Sequence, residues 1–103
     1  MPSHDWVRRN FDVDTHAAER WLQRVVVVDA PYTERQLDRA KYAVSRAFTD
    51  ALNASPPVHA GGSRFEYTAP SGLRFIADRE NHFGESPHRL ITVKPPRGAP
   101  CAS

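Results

Sequence analysis

Residues 64–78 read Arg64-Phe65-Glu66-Tyr67-Thr68-Ala69, then Pro70-Ser71-Gly72, then Leu73-Arg74-Phe75-Ile76-Ala77-Asp78, and throughout them the hydrophobic period is two. Phe65, Tyr67 and Ala69 alternate with Arg64, Glu66 and Thr68, while Leu73, Phe75 and Ala77 alternate with Arg74, Ile76 and Asp78. Successive strand side chains point to opposite faces, so each run is a strand with one apolar face. Pro70-Ser71-Gly72 is turn chemistry, and two short alternating runs joined by a turn make a hairpin. Towards the C-terminus, the polar loop from Arg79 to Pro87 leads to a third strand, Arg89-Leu90-Ile91-Thr92-Val93-Lys94. Pro95 and Pro96 end it. Residues 95–103 are expected to form a flexible tail to a single domain over residues 1–94.

Towards the N-terminus the period changes to 3.6. Leu37, Ala40, Val44, Ala47, Phe48 and Ala51 recur at helical spacing, and Thr33 with Gln36 forms a capping box that Tyr32 and Leu37 support as a hydrophobic staple. The stretch from Asn53 to Pro57 stops this helix. An earlier helix is expected to start near Asp14-Thr15, capped by either side chain, and to run to Arg24 with Ala18, Trp21, Leu22 and Val25 as its apolar stripe. Val25 to Val28 favour extended chain, so they either end the helix or form a short strand before Asp29-Ala30-Pro31. Trp6, Val7, Phe11 and Val13 supply apolar groups able to dock on the core. The expected fold is therefore α+β: two N-terminal helices packed on a three-stranded antiparallel sheet, in the order ααβββ.

Composition bounds the function classes. A chain of 103 residues, 40% hydrophobic and 25% charged, is the size and make-up of one globular domain. One cysteine, Cys101, cannot form an internal disulfide. No run approaches the length of a membrane span, and Met1 to Trp6 lacks the apolar stretch of a signal peptide, so a cytoplasmic location is expected by default. Of the 14 basic residues only Lys41 and Lys94 are lysine. Arginine's planar fork suits phosphate and carboxylate, although a GC-rich genome produces the same bias.

His16, Arg20 and Arg24 are spaced four apart and share one helix face. An imidazole beside two guanidiniums suits an anionic substrate, with the arginines holding phosphate and the neutral imidazole serving as a base; three solvated residues on a surface helix have the same spacing. If helices cover the Phe65/Tyr67/Phe75 face, the other sheet face carries Arg64 and Arg74, with Arg89 or Thr92 beside them. Such a surface can bind a nucleic-acid backbone, and aromatic residues nearby can stack on bases. The competing reading is cross-strand charge pairing, Glu66 with Arg74. His4, His59, His82 and His88 make no metal spacing, Gly61-Gly62 lacks the context of a phosphate loop, and no Gly-x-Ser-x-Gly occurs. Neither a metal nor a cofactor is expected.

The pattern His16-Ala17, Arg20 and Arg24, followed by Phe65-Glu66-Tyr67, Leu73-Arg74-Phe75-Ile76 and Leu90-Ile91-Thr92-Val93, resembles a group of short bacterial and phage proteins. These carry His-Ala-x-x-Arg-x-x-x-Arg on a helix and end in a strand reading Ile/Val-Thr-Val. That group is similar to the RelE-like branch of the superfamily holding barnase-type and colicin-type ribonucleases, and the resemblance covers roughly residues 15 to 94. It implies a helical pair against an antiparallel sheet and metal-independent RNA cleavage by a toxin restrained by an antitoxin. Carried onto this chain, the resemblance makes His16 the base or acid, has Arg20, Arg24 and Arg74 hold phosphate, and leaves Thr92 a supporting residue at most; beside it, Arg64, Tyr67, Arg89 and Thr92 are the expected substrate-binding residues. The alternative is a binding module without turnover, such as a phage-encoded inhibitor, taking a protein or nucleic-acid partner. A homodimer through an exposed edge strand, residues 64–69 or 89–94, is a further arrangement that the pattern allows.

Overall fold

The computed structural model describes residues 2–82 and 84–96. Its longest element is α3, Glu34–Ala54, and the capping box at its start is complete: Thr33 Oγ1 accepts from Gln36 N at 3.1 Å, while Gln36 Oε1 accepts from Thr33 N at 2.8 Å. Tyr32 and Leu37 each pack against a small cluster of Ala18, Leu22 and Ala40. Ala40, Val44, Phe48 and Ala51 are buried on the inner face.

The other elements are α1 (His4–Asn10), β1 (Phe11–Val13), α2 (Thr15–Trp21), β2 (Val58–His59), β3 (Arg64–Thr68), β4 (Arg74–Asp78) and β5 (His88–Lys94). The α+β class is as expected, but the counts are not: three helices pack on a five-stranded mixed sheet, where two helices and three strands were predicted. The additions are short. Seven residues of α1 follow a Ser3 cap, and Trp6 N donates to Ser3 Oγ at 3.2 Å. Three residues of β1 pair in parallel with β5, and two of β2 pair with β3. Segments this brief show too little periodicity to be read locally and depend on the sheet edge they complete.

Strand order is β1-β5-β4-β3-β2, antiparallel except for β1. The predicted hairpin holds, with Tyr67 opposite Phe75 and Glu66 opposite Ile76. Ile76 pairs with Thr92 and Ala77 with Leu90, so Ile91 is the extra residue of a bulge. β2 flanks β3 at Phe65 and Glu66 and β1 flanks β5 at His88 to Leu90, so each strand proposed for dimer pairing is covered along part of its length. The edges are β1 and β2. Val7, Phe11, Val44, Phe48, Tyr67, Phe75, Leu90 and Val93 fill the main core between α1, α3 and one sheet face.

The valine run is not a strand. Leu22–Val26 widen into a turn of π-helix, and Val27 ends it in the left-handed region at φ 63°. Val28 N then closes back on Leu22 O at 2.8 Å. Of the expected tail, residues 97–103 with Cys101 lie outside the described residues. Its first residue is fastened, since Arg74 Nε donates to Pro95 O at 3.0 Å.

Candidate functional site

Asp14 sets the start of α2 and joins it to the sheet. Its Oδ1 accepts from His16 N at 3.2 Å, its own N donates to Leu90 O at 2.9 Å, and its Oδ2 lies 3.8 Å from Arg89 Nε. The helix therefore continues past the end of β1 along the open side of β5 and presents Thr15 and His16 to solvent.

One turn on, Arg20 Nε donates to His16 Nε2 at 3.3 Å, and Arg20 Nη1 donates to Gln23 Oε1 at 2.7 Å. A guanidinium has no lone pair to offer, so the accepting Nε2 carries no proton. In the tautomer that makes this bond the ring hydrogen is on Nδ1. This pair can attract phosphate through Arg20, and release of Arg20 frees Nε2 to accept a proton as a base.

Arg24, predicted on the same face, turns to a different task. Its Nη1 donates to Val93 O at 2.7 Å and so satisfies a carbonyl on the outer side of β5. Burial there, and secondarily the charge of Arg20, lower its pKa from the usual value. Arg74 is likewise engaged, 3.1 Å from Glu66 Oε1 with side-chain exposures of 18% and 9%, so the cross-strand pairing is present.

The remaining candidates divide. Arg64 is exposed and 3.9 Å from Asp78, Arg89 is half-buried beside Asp14, and Thr92 is half-buried opposite Ile76. Tyr67 lies on the apolar face under α3, 5% exposed with its ring edge-on to Phe48 at 5.2 Å. It is a core residue and offers no ring face to a base. Asp78 accepts from Ser63 Oγ and, at 2.9 Å, from Glu80 N. Those hydrogen bonds, led by Ser63 and joined by the Arg64 and Arg89 charges, hold its carboxyl below the usual range against the opposing effect of burial.

Sequence reasoning missed the clamp at Asp12. Asp12 Oδ2 accepts from Asn81 Nδ2 at 2.8 Å and from Ser86 N at 3.3 Å, tying the β4–β5 loop to β1. A Cβ on Gly84 would stand 1.8 Å from that oxygen, so only glycine fits. No local signal marks a contact between residues 69 and 74 apart. Among the described residues, no group of three or more His, Cys, Asp or Glu side chains is placed to hold a metal, and no helix is long and apolar enough to cross a membrane. Compared with family models, curated proteins and solved structures, the chain has no match.

Proposed function

We propose that this protein is a small metal-independent endoribonuclease of the toxin type, acting at the exposed face of α2. The observation that carries this reading is the His16–Arg20 contact: an imidazole and a guanidinium, side by side on a solvent-facing helix. In the reaction, the ribose 2′-oxygen attacks the adjacent phosphorus and loses its proton while the 5′-oxygen leaves and gains one. His16 Nε2, once freed from Arg20, takes the first proton, the imidazolium so formed returns a proton to the 5′-oxygen, and Arg20 stabilises charge on the phosphorane. Arg64 and Arg89 extend the cationic surface for the strand, and an antitoxin is the expected protein partner.

Inducible expression of the wild type and His16→Ala in bacteria, with growth and total RNA followed, tests it. Growth arrest with RNA breakdown, relieved by the substitution, is the expected result. Normal growth and intact RNA at good expression of the wild type would remove the proposal.

A second reading is a binding module without turnover, taking RNA or a target protein. Specific observations favour it: Arg24 and Arg74 are held by Val93 O, Glu66 and Pro95 O, and Tyr67 is in the core. It predicts a stable 1:1 complex and no cleavage by pure protein.

A further inference from the structure

On the outer side of β1, between α1 and α3, lies a cleft of about 560 Å³ whose walls include Arg8, Asp38, Lys41 and Tyr42. Tyr42 is 47% exposed although aromatic. Its orientation is built from below. The buried Ser45 hydroxyl donates to Tyr42 O at 2.8 Å and so accepts from His4 Nε2 at 2.9 Å, which sets the imidazole edge-on to the tyrosine ring at a centroid distance of 5.0 Å. Arg8 approaches the same ring, its guanidinium carbon 5.4 Å from the centroid.

What these groups lack is as informative. Among the described residues, the Lys41 ammonium, the Tyr42 hydroxyl and the Asp38 carboxylate make no hydrogen bond or ion pair, and Arg8 makes only its approach to the ring. Asp12 reaches the cleft too, but its Oδ2 is already taken by Asn81 and Ser86. The cleft thus offers one uncommitted cation, Lys41, a second, Arg8, held only by its approach to the ring, an aromatic ring fixed on its His4 side, and one free carboxylate. A phosphate matches the cations, a planar base matches the ring, and a ribose hydroxyl or exocyclic amine matches Asp38.

We infer that this cleft is a nucleotide subsite that holds one base and its phosphate from a single-stranded RNA. Its use by an RNA strand rests on the reading of the His16 surface given above. The chain makes the two places neighbours: Val13 lines the cleft, and three Cα steps to His16 span at most about 11 Å. A strand held at Arg8, Lys41 and Tyr42 continues across the start of α2.

Titration of the full chain with adenosine monophosphate, followed by calorimetry and amide shifts, tests the assignment. Adenosine and inorganic phosphate serve as partial ligands, and a short oligoribonucleotide as competitor. The nucleotide is expected to bind more tightly than either part and to be displaced by the oligonucleotide. Tyr42→Ala and Lys41→Gln, with folding checked by circular dichroism, are each expected to weaken it about tenfold. His16→Ala is expected to leave it within about twofold, the sites being separate. Unchanged affinity in both cleft variants would overturn the assignment, as would no binding up to about 10 mM. Bound nucleotide that the oligonucleotide does not displace would overturn the RNA assignment. Nucleotide binding here without RNA cleavage would sink the ribonuclease proposal and leave the subsite standing.

Discussion

Arg74 and Glu66 meet at 3.1 Å with both side chains largely out of water, and the same guanidinium secures Pro95. Taking the cation away from a carboxylate in that setting is expensive, because the charge keeps its desolvation while losing its main compensation. Arg74→Ala is expected to lower stability by about 2 kcal/mol, less than for a fully buried pair. A denaturation midpoint equal to that of the wild type would assign the pair no stabilising role. Asp78 gives a pH signature. Its folded pKa is depressed, so its contribution is complete above the unfolded value of about 3.9 and fades as pH falls through the lower folded value. Asp78→Asn is therefore expected to flatten the loss of stability below about pH 4. Unfolding curves of equal steepness in acid for both proteins would show that Asp78 is not a main contributor. His16 and Arg20 were legible at this scale, since four-residue spacing on a helix brings side chains together whatever the surroundings. Arg24 was not: its acceptor, Val93 O, lies 69 residues away.

Among the elements, α3 was readable because its apolar period runs through 21 residues and its first turn spells its own cap. The β3–β4 hairpin was readable for the same reason at a period of two. Neither α1, β1 nor β2 carries enough turns or alternations to announce itself; each exists because a core groove or a sheet neighbour receives it. The valine run shows a local preference overruled. Four β-branched residues favour extended chain, yet Leu22 packs under Ala40, the helix widens, and Val27 takes φ 63° at 77% exposure. A β-branched residue in that region is strained by about 1–2 kcal/mol, which glycine relieves while losing about 0.5–1 kcal/mol to its freer unfolded chain. Val27→Gly is expected to keep or raise the melting temperature. A fall equivalent to more than about 1 kcal/mol would mean that the valine side chain is needed where it stands.

Across the whole molecule, the helices occupy one sheet face, and α2 continues along the outer side of β5 where β1 stops. The His16–Arg20 pair sits at that corner, three residues along the chain from Val13, which lines the Arg8, Lys41 and Tyr42 cleft. The net charge is only +2, so attraction for RNA depends on where the cations lie and not on their total. RNA binding is expected to weaken as salt rises, because counterions are released with each phosphate contact; affinity independent of salt would point to a different partner. The most direct measurement of the central claim uses purified, nuclease-free protein on single-stranded RNA in excess chelator, comparing wild type with His16→Ala of equal helicity. Cleavage by the wild type alone, leaving 2′,3′-cyclic phosphate ends, is the predicted result. Intact RNA with both proteins, or equal cleavage by both, would contradict a ribonuclease site at His16.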